Sequence, residues 1–333
     1  MFTRHLLSKT NQSLALLLLL YGILMCSTSQ VQAQGKLDSI RTKIANAKTD
    51  SLRAEAYIDL AYEYFFFSLD SLDQVIAAAE KSEAIAKKGK VASSLITAYN
   101  VKSNAYRQKG DYKNSEIEMR KGIAVARKNK FKKKLHMLED NLANTLFDQG
   151  KKDEALDLKL KALQAFKELK DTAAMSVAEF GIGYIYMETH QLEKAKRHFF
   201  RSAELAPNDP SNIEVQGNLG IIYGWENKLD SAIYFLEIAG ELGKDYTSFY
   251  IQNEVSLAEV YYKKGNIQKA LSILLAIKDE YKENSEERDY QYYKLNIAEF
   301  YMELNNWQRA EEYLVGIDTS IILNLNKYKR SFI

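Results

Sequence analysis

The chain has 333 residues, 46 of them basic and 44 acidic, with 27% charged and 46% hydrophobic overall. That balance excludes an intrinsically disordered chain and a multi-pass membrane protein. Its two prolines, Pro207 and Pro210, are too few for the turns of a β-sandwich or barrel of this length, and the abundance of Leu, Ala, Lys, Glu and Tyr points to an all-α protein.

In chain order, Arg4 and Lys9 precede an apolar run from Leu14 to Met25, and Val31-Gln32-Ala33 places Val31 and Ala33 where a signal peptidase reads small residues. Residues 1–33 are therefore predicted to be a signal peptide, and the mature chain to be periplasmic or otherwise exported after cleavage near Ala33. Twelve apolar residues fall short of the ~30 Å hydrocarbon layer, which favours cleavage over anchoring. Met25 disfavours a lipid anchor on Cys26, since such sites take a small residue there. Cleavage leaves 44 basic and 44 acidic residues and no cysteine, so stability must come from packing. The mature chain also has no Asn-x-Ser/Thr acceptor, which suits a bacterial envelope. Residues 34–50, with Leu37, Ile40 and Ile44 at helical spacing, are predicted to form a capping helix over the first hairpin, and Asp50 or Ser51 to open the next helix.

Residues 51–320 carry an internal repeat. A small residue recurs at Ala61, Ser103, Ala143, Gly183, Gly220, Ala258 and Ala298. Three residues later come Tyr64, Tyr106, Leu146, Tyr186, Tyr223, Tyr261 and Tyr301. A second small slot comes at Val75, Ser115, Ala155, Ala195, Ala232, Ala270 and Ala310, at intervals of 40, 40, 40, 37, 38 and 40. Within Leu257 to Ile277 the apolar residues keep helical spacing on both sides of a break at Gly265. Each unit thus reads as two antiparallel helices. Gly110, Gly150, Gly265, His190, Asn227 and Asn305 share the turn position, which calls for the left-handed conformation; His190 accepts it least readily. One hairpin cannot bury its own apolar faces, so the units must stack.

This pattern resembles the tetratricopeptide repeat: Leu219-Gly220-Ile221-Ile222-Tyr223 then Ala232 in one unit, and Ile182-Gly183-Tyr184-Ile185-Tyr186 then Ala195, Phe199 and Pro207 in another. The early tryptophan is missing, and the longer period is similar to that of bacterial sensor and regulatory proteins. The resemblance implies an α-solenoid of about seven hairpins forming a right-handed superhelix. Residues 321–333 read as a partial helix with Ile321, Ile322, Leu323 and Leu325. It either covers the last hairpin or marks a truncation or a partner that completes the cap.

No residue set converges on a reaction, so the protein is expected to be no enzyme and to use no cofactor or metal. His190 and His198 are eight apart across a turn, too far for a metal pair on one helix face. Phe180-Gly181-Ile182-Gly183 and Gly217-Asn218-Leu219-Gly220 fall inside helices and read as close-packing glycines. The basic stretch Arg127 to Lys134 reads as a solvated joint at a helix C-terminus rather than a nucleic-acid site.

The resemblance also implies that each first helix lines the concave side. Offsets of −6, −2, +1 and +5 from its small slot then face the groove. They hold eight acids, Glu55, Asp59, Asp148, Glu188, Glu214, Glu259, Glu299 and Glu303, against the single base Lys263. They also hold Asn104, Asn141, Asn144, Asn218 and Asn296, and the aromatics Tyr62, Phe66, Tyr184, Trp225 and Tyr292. Asparagine amides satisfy both donors and acceptors of an extended backbone, and aromatics supply contact area. The expectation is an exported, non-catalytic scaffold that holds a protein or peptide segment, of basic character, and no nucleic acid. The alternative is the sensory input region of a truncated signal-transduction protein, of histidine-kinase or helix-turn-helix type.

Overall fold

The computed structural model describes residues 35–67, 71–207, 212–285 and 287–318, without the side chains of Phe66, Phe67 and Ser248. The predicted signal peptide, the tail 321–333 and Pro210 lie outside the described residues. Helix α1 covers residues 35–46. After it come α2 (Asp50–Phe67), α3 (Leu72–Lys88), α4 (Ala92–Gln108), α5 (Tyr112–Lys128), α6 (Lys132–Asp148) and α7 (Lys152–Leu169). Next come α8 (Thr172–Glu188), α9 (Leu192–Leu205), α10 (Asn212–Trp225), α11 (Leu229–Gly243) and α12 (Thr247–Lys263). The last are α13 (Ile267–Ala276), α14 (Lys278–Asn284), α15 (Glu287–Glu303) and α16 (Trp307–Leu314). There is no strand among the described residues. Within each unit, helices pack in order as hairpins, and first helices of successive hairpins also touch (α2 with α4, α4 with α6, α10 with α12).

The chain divides into two compact units, Met1–Ala162 and Leu163–Ile333. In the first, Leu37 and Ile40 of α1 join a core with Ile58 and Ala61 of α2, Val75 of α3, and Ala98 and Val101 of α4. Val101 sits at a groove offset, yet it is buried in this core. In the second unit, Ala195 and Phe199 of α9 pack with Val215, Leu219 and Ile222 of α10, and a larger cluster runs from Ala232 of α11 to Phe300 of α15.

The small slots are where the helices cross. Ala61, Ser103, Ala143, Ala258 and Ala298 are buried, as are all seven second-helix slots from Val75 to Ala310. At Gly183 and Gly220 a Cβ would come within 2.9 Å of Phe199 Cδ1 and 2.6 Å of Leu236 Cγ, so only glycine admits those neighbours. Where the slot is serine, the hydroxyl is bonded: Ser103 and Ser115 lie 3.0 Å apart, and Ser115 reaches Thr145 of the next hairpin at 2.9 Å. The aromatic three residues on fills the groove beside the crossing; Tyr223 stacks on Phe235 at 5.2 Å and Tyr186 on His198 at 5.4 Å.

The turns obey the repeat as well. Gly110, Gly150, Gly265, His190, Asn227 and Asn305 all have φ between 56° and 82°. At Gly110 the Asp111 N–H donates to the Tyr106 carbonyl at 2.9 Å and the Gly110 N–H to Arg107 at 3.0 Å, the pairing that closes a Schellman turn. Asp111 then caps α5 through the Asn114 N–H at 3.1 Å. The turns between hairpins carry lysine in the left-handed region instead, at Lys90, Lys130 and Lys170 (φ 54° to 58°). Lysine carries no turn signal, so the sequence hides these positions. A Cβ there costs roughly 1–2 kcal/mol, partly offset because glycine loses more entropy on folding. Lys130→Gly is therefore expected to stabilise the chain by about 0.5–1 kcal/mol, read as a higher Tm, whereas Gly110→Ala at the equivalent conformation should lower it.

Two features run against the sequence pattern. Lysines lie inside the packed faces: Lys159 Nζ bonds Asp140 Oδ2 at 2.8 Å, Lys102 bonds Glu83 at 2.8 Å and lies 3.0 Å from Glu118, and Lys196 bonds Glu226 at 2.6 Å. The second helix of the sixth hairpin also stops at Ala276 and restarts as α14. The hydroxyl of Tyr293 donates to the Leu274 carbonyl at this break, and burial holds that hydroxyl well above the ordinary tyrosine range.

Candidate functional site

First-helix faces carry every residue singled out from the sequence, but the structure treats them differently along the chain. In the first unit, Tyr62 of α2 is exposed, and nothing is described of the Phe66 side chain. Asn141 donates through Nδ2 to Asn100 Oδ1 at 2.9 Å, and Arg107 donates to Asp148 at 2.9 Å. Both bonds link α4 to α6, so they tie neighbouring hairpins together. Asn104 and Asn144, 40 residues apart, are half-buried and make no hydrogen bond among the described residues. Asp59 lies 3.8 Å from Lys43 of α1, and Glu55 accepts from Ser51 at 3.1 Å.

In the second unit the same helical face opens into a cavity of about 620 Å³. It gathers Tyr184 and Glu188 from α8, Asn218 and Trp225 from α10, and Glu259 and Lys263 from α12. Ile221, Ile251, Val255 and Val260 give it an apolar lining. Gln252 and Ser256 of α12 also face it, as do Tyr281 and Asn284 of α14, Ser285, and Asp289 of α15. The α14 and α15 residues were missed from the sequence because they lie off the first-helix pattern, and nothing in the repeat marks them. Five of the sequence-chosen residues of this unit, Glu303 among them, stay outside it. Glu214 sits in the first turn of α10, Tyr292 packs against Leu295 and Ile317, and Asn296 and Glu299 are half-buried on α15.

The electrostatics divide the acids into two kinds. Some are held by their own chain: Asp148 by Arg107, and Glu303 by the hydroxyl of Tyr262. That bond to Glu303, and after it burial, pushes the Tyr262 hydroxyl up to about 12. Others make no ion pair among the described residues. Burial alone raises the Glu214 carboxyl above the ordinary glutamate range. Glu259 keeps solvent contact, yet the protein packed around it raises its carboxyl too, with Lys263 opposing the shift. The surplus of free acid is thus narrower than the sequence count of eight to one.

The two histidines make packing contacts. His198 Nδ1 is 2.6 Å from Glu179, and His190 lies 5.8 Å from the Trp225 ring. Among the described residues no group of His, Cys, Asp and Glu is arranged to hold a metal ion. In the basic stretch, Arg127 pairs with Glu139 at 3.3 Å and Lys134 bonds Ser93, while Lys128, Lys130 and Lys132 stay exposed around the end of α5. A smaller hollow of about 420 Å³ lies on the neighbouring helices, with Ile123, Leu142, Leu146 and Leu158 in its lining.

Residues 96–129 and 140–169, within hairpins α4–α5 and α6–α7, each match a family model described as tetratricopeptide repeat. These two segments, 64 residues in all (34 and 30), are similar to the tetratricopeptide repeat. A search of the curated proteins finds no match. Among solved structures, the chain is similar to BtubC (BKLC) from P. vanneervenii, at 19% identity over 63% of this chain and 90% of that one, with a TM-score of 0.55. It is also similar to the apo form of RapI, at 16% identity over 82% of this chain and 99% of that one (TM-score 0.56). A signal transduction ATPase with a tetratricopeptide repeat sensor from Pyrococcus horikoshii matches at 12% identity and a TM-score of 0.63, over 85% of this chain and 46% of that one. At such identities the likeness is one of fold.

Proposed function

We propose that the protein is exported and non-catalytic, and that it binds an extended protein or peptide segment of basic character on its first-helix face. The cavity of the second unit carries this reading. There Tyr184, Trp225 and Asn218 share one lining with Glu188 and Glu259. The aromatic walls provide contact area at small entropic cost. The side-chain amides of Asn218 and Asn296, like those of Asn104 and Asn144, have no protein partner among the described residues and are free to bond a peptide backbone. The run from Arg4 to Ala33 supports export; amino-terminal sequencing of the secreted chain should begin at Gln34.

The test is capture from envelope extracts on the immobilised mature chain. A partner held on this face should bind the variant Glu214→Lys with Glu259→Lys about tenfold more weakly, with unchanged helicity, and its binding should fall with added salt. A partner that binds the variant equally well, or that ignores salt, places recognition elsewhere.

Glu214 offers an independent check. Its carboxyl is raised in the folded chain, so the charged form costs stability at neutral pH. That cost fades as pH falls through the raised value and the folded group takes up its proton. Glu214→Gln should therefore have the higher Tm at pH 7, and the gap should close on acidification. A residue whose charge weakens the fold but serves binding fits a site better than a scaffold surface.

A further inference from the structure

One recess in the cavity of the second unit follows from the repeat itself. Four residues beyond the first small slot of each hairpin stand Phe65, Arg107, Phe147, Met187, Gly224, Tyr262 and Met302. Six of these are large, and Gly224 has no side chain. Three of the large ones are seen to reach the first helix of the next hairpin. Arg107 of α4 donates to Asp148 of α6 at 2.9 Å. Tyr262 of α12 stacks on Phe300 of α15 at 4.8 Å and bonds Glu303, and Met187 of α8 shares a core with Ile222 of α10. Ile222 and Phe300 lie two residues past their own slots, Asp148 and Glu303 five past. The corresponding residues of α12 are Val260 and Lys263, and both line the cavity together with Gly224. The side chain that would bridge α10 to α12 is missing, and the cavity lies in its place.

Packing does not demand this glycine. A Cβ at Gly224 would meet Val260 Cγ2 at 3.6 Å and Ala232 Cβ at 4.0 Å, ordinary contact distances. At Gly183, Gly217 and Gly220 it would instead come within 2.9 Å, 2.5 Å and 2.6 Å of a neighbouring side chain. Gly224 lies within α10 and its φ is outside the left-handed region, so the backbone does not require it either. A glycine inside a helix weakens the fold. One kept without a packing or backbone reason leaves room for something else.

Resting on the peptide-binding reading above, we infer that this recess seats one large apolar side chain of the bound segment, which completes the bridge that the chain leaves out. The other hairpins set its size, since the seat holds methionine, phenylalanine or tyrosine in five of them and arginine in the sixth. The lining sets its chemistry. Met187, Ile221, Val255 and Val260 offer an apolar surface, and the rings of Tyr184 and Trp225 stand in the same wall. A leucine, methionine or phenylalanine side chain loses its water there at a gain. A small side chain leaves the gap unfilled, and a charged one gives up hydration that this surface does not replace.

The test is a library of acetylated, amidated heptapeptides, randomised at every position and panned on the full-length mature chain. A large apolar residue should be enriched at one position of the binders, and alanine there should weaken binding about tenfold or more. Gly224→Met supplies the side chain that Met187 and Met302 provide in their own hairpins. Gly224→Ala and Gly224→Met should both melt no lower than wild type, because they grow into vacant space. In Gly224→Met the parent peptide and its alanine form should bind alike, because the seat is taken. Either variant melting below wild type shows that the space is already filled and overturns the seat. Binders without apolar enrichment, or an apolar preference that survives in Gly224→Met, also overturn it and leave the peptide-binding face standing. A library that yields no binder at all overturns the peptide-binding reading, and the seat falls with it.

Discussion

Asp140→Ala is expected to destabilise the third hairpin by about 3–5 kcal/mol, although it removes only a few atoms from one helix. Asp140 on α6 and Lys159 on α7 are both buried, 4% and 2% exposed, and meet at 2.8 Å. Removing the carboxylate strands an ammonium group where water cannot reach it, and the cost is the solvation the ion gave up on folding. The pair itself contributes much less. One oxygen of Asp140, Oδ1, makes no hydrogen bond among the described residues, so the carboxylate is only half-satisfied. Asp140→Leu combined with Lys159→Met should then recover most of the loss, and the double variant should match or exceed the wild type. Because hairpins in such arrays depend chiefly on their neighbours, the damage should be local. Amide exchange in Asp140→Ala should accelerate in α6 and α7 while α10 to α12 stay protected. Uniform loss of protection along the chain, or a double variant as unstable as the single, would contradict this account.

The hairpin architecture was legible because close helix crossings demand small residues at a fixed period, and a period is visible without coordinates. Fourteen positions chosen for smallness are helix-crossing positions, and Gly183 and Gly220 fall where a methyl group does not fit. The turns at Gly110, Gly150, Asn227, Gly265 and Asn305 were equally open, since Gly and Asn mark the left-handed residue, while His190 was marked only by its place in the repeat. The turns at Lys90, Lys130 and Lys170 were not, because their conformation is imposed by the flanking helices against the preference of the residue. The buried lysines were opaque for a related reason. Composition places lysine outside, and only the opposing carboxylates of Asp140, Glu83 and Glu226 make the interior tolerable. For the site, helical angle alone selected faces, and it selected Tyr184, Asn218, Trp225 and Glu259 together. Angle does not say where a face becomes a cavity. That depends on the break after Ala276 and on Tyr281, Ser285 and Asp289, which no repeat position encodes.

Phe199→Ala should cost about 3–5 kcal/mol, and its partner Gly183 gives the effect a signature that simple loss of bulk lacks. The Phe199 ring is fully buried, 5.7 Å from the Phe180 ring, in a core shared with Val215, Leu219 and Ile222 of the next hairpin. It therefore holds α9 to α8 and also α9 to α10, and truncation opens a void between three helices. Gly183 is the complementary half of this contact. A Cβ there meets Phe199 Cδ1 at 2.9 Å and the Ala195 carbonyl at 3.3 Å. In the wild type, Gly183→Ala sets an overpacking cost of about 1–3 kcal/mol against a gain of about 1 kcal/mol in helix propensity. The net change should be destabilising. Once Phe199 is alanine the ring is gone, and Gly183→Ala should instead stabilise by up to about 1 kcal/mol, limited by the Ala195 carbonyl. The two substitutions are thus expected to be strongly non-additive, with a sign change measurable by denaturant titration of the four proteins of the cycle. Additive effects would mean that the ring and the glycine do not share one space, and the close crossing of α8 and α9 would have to be explained some other way.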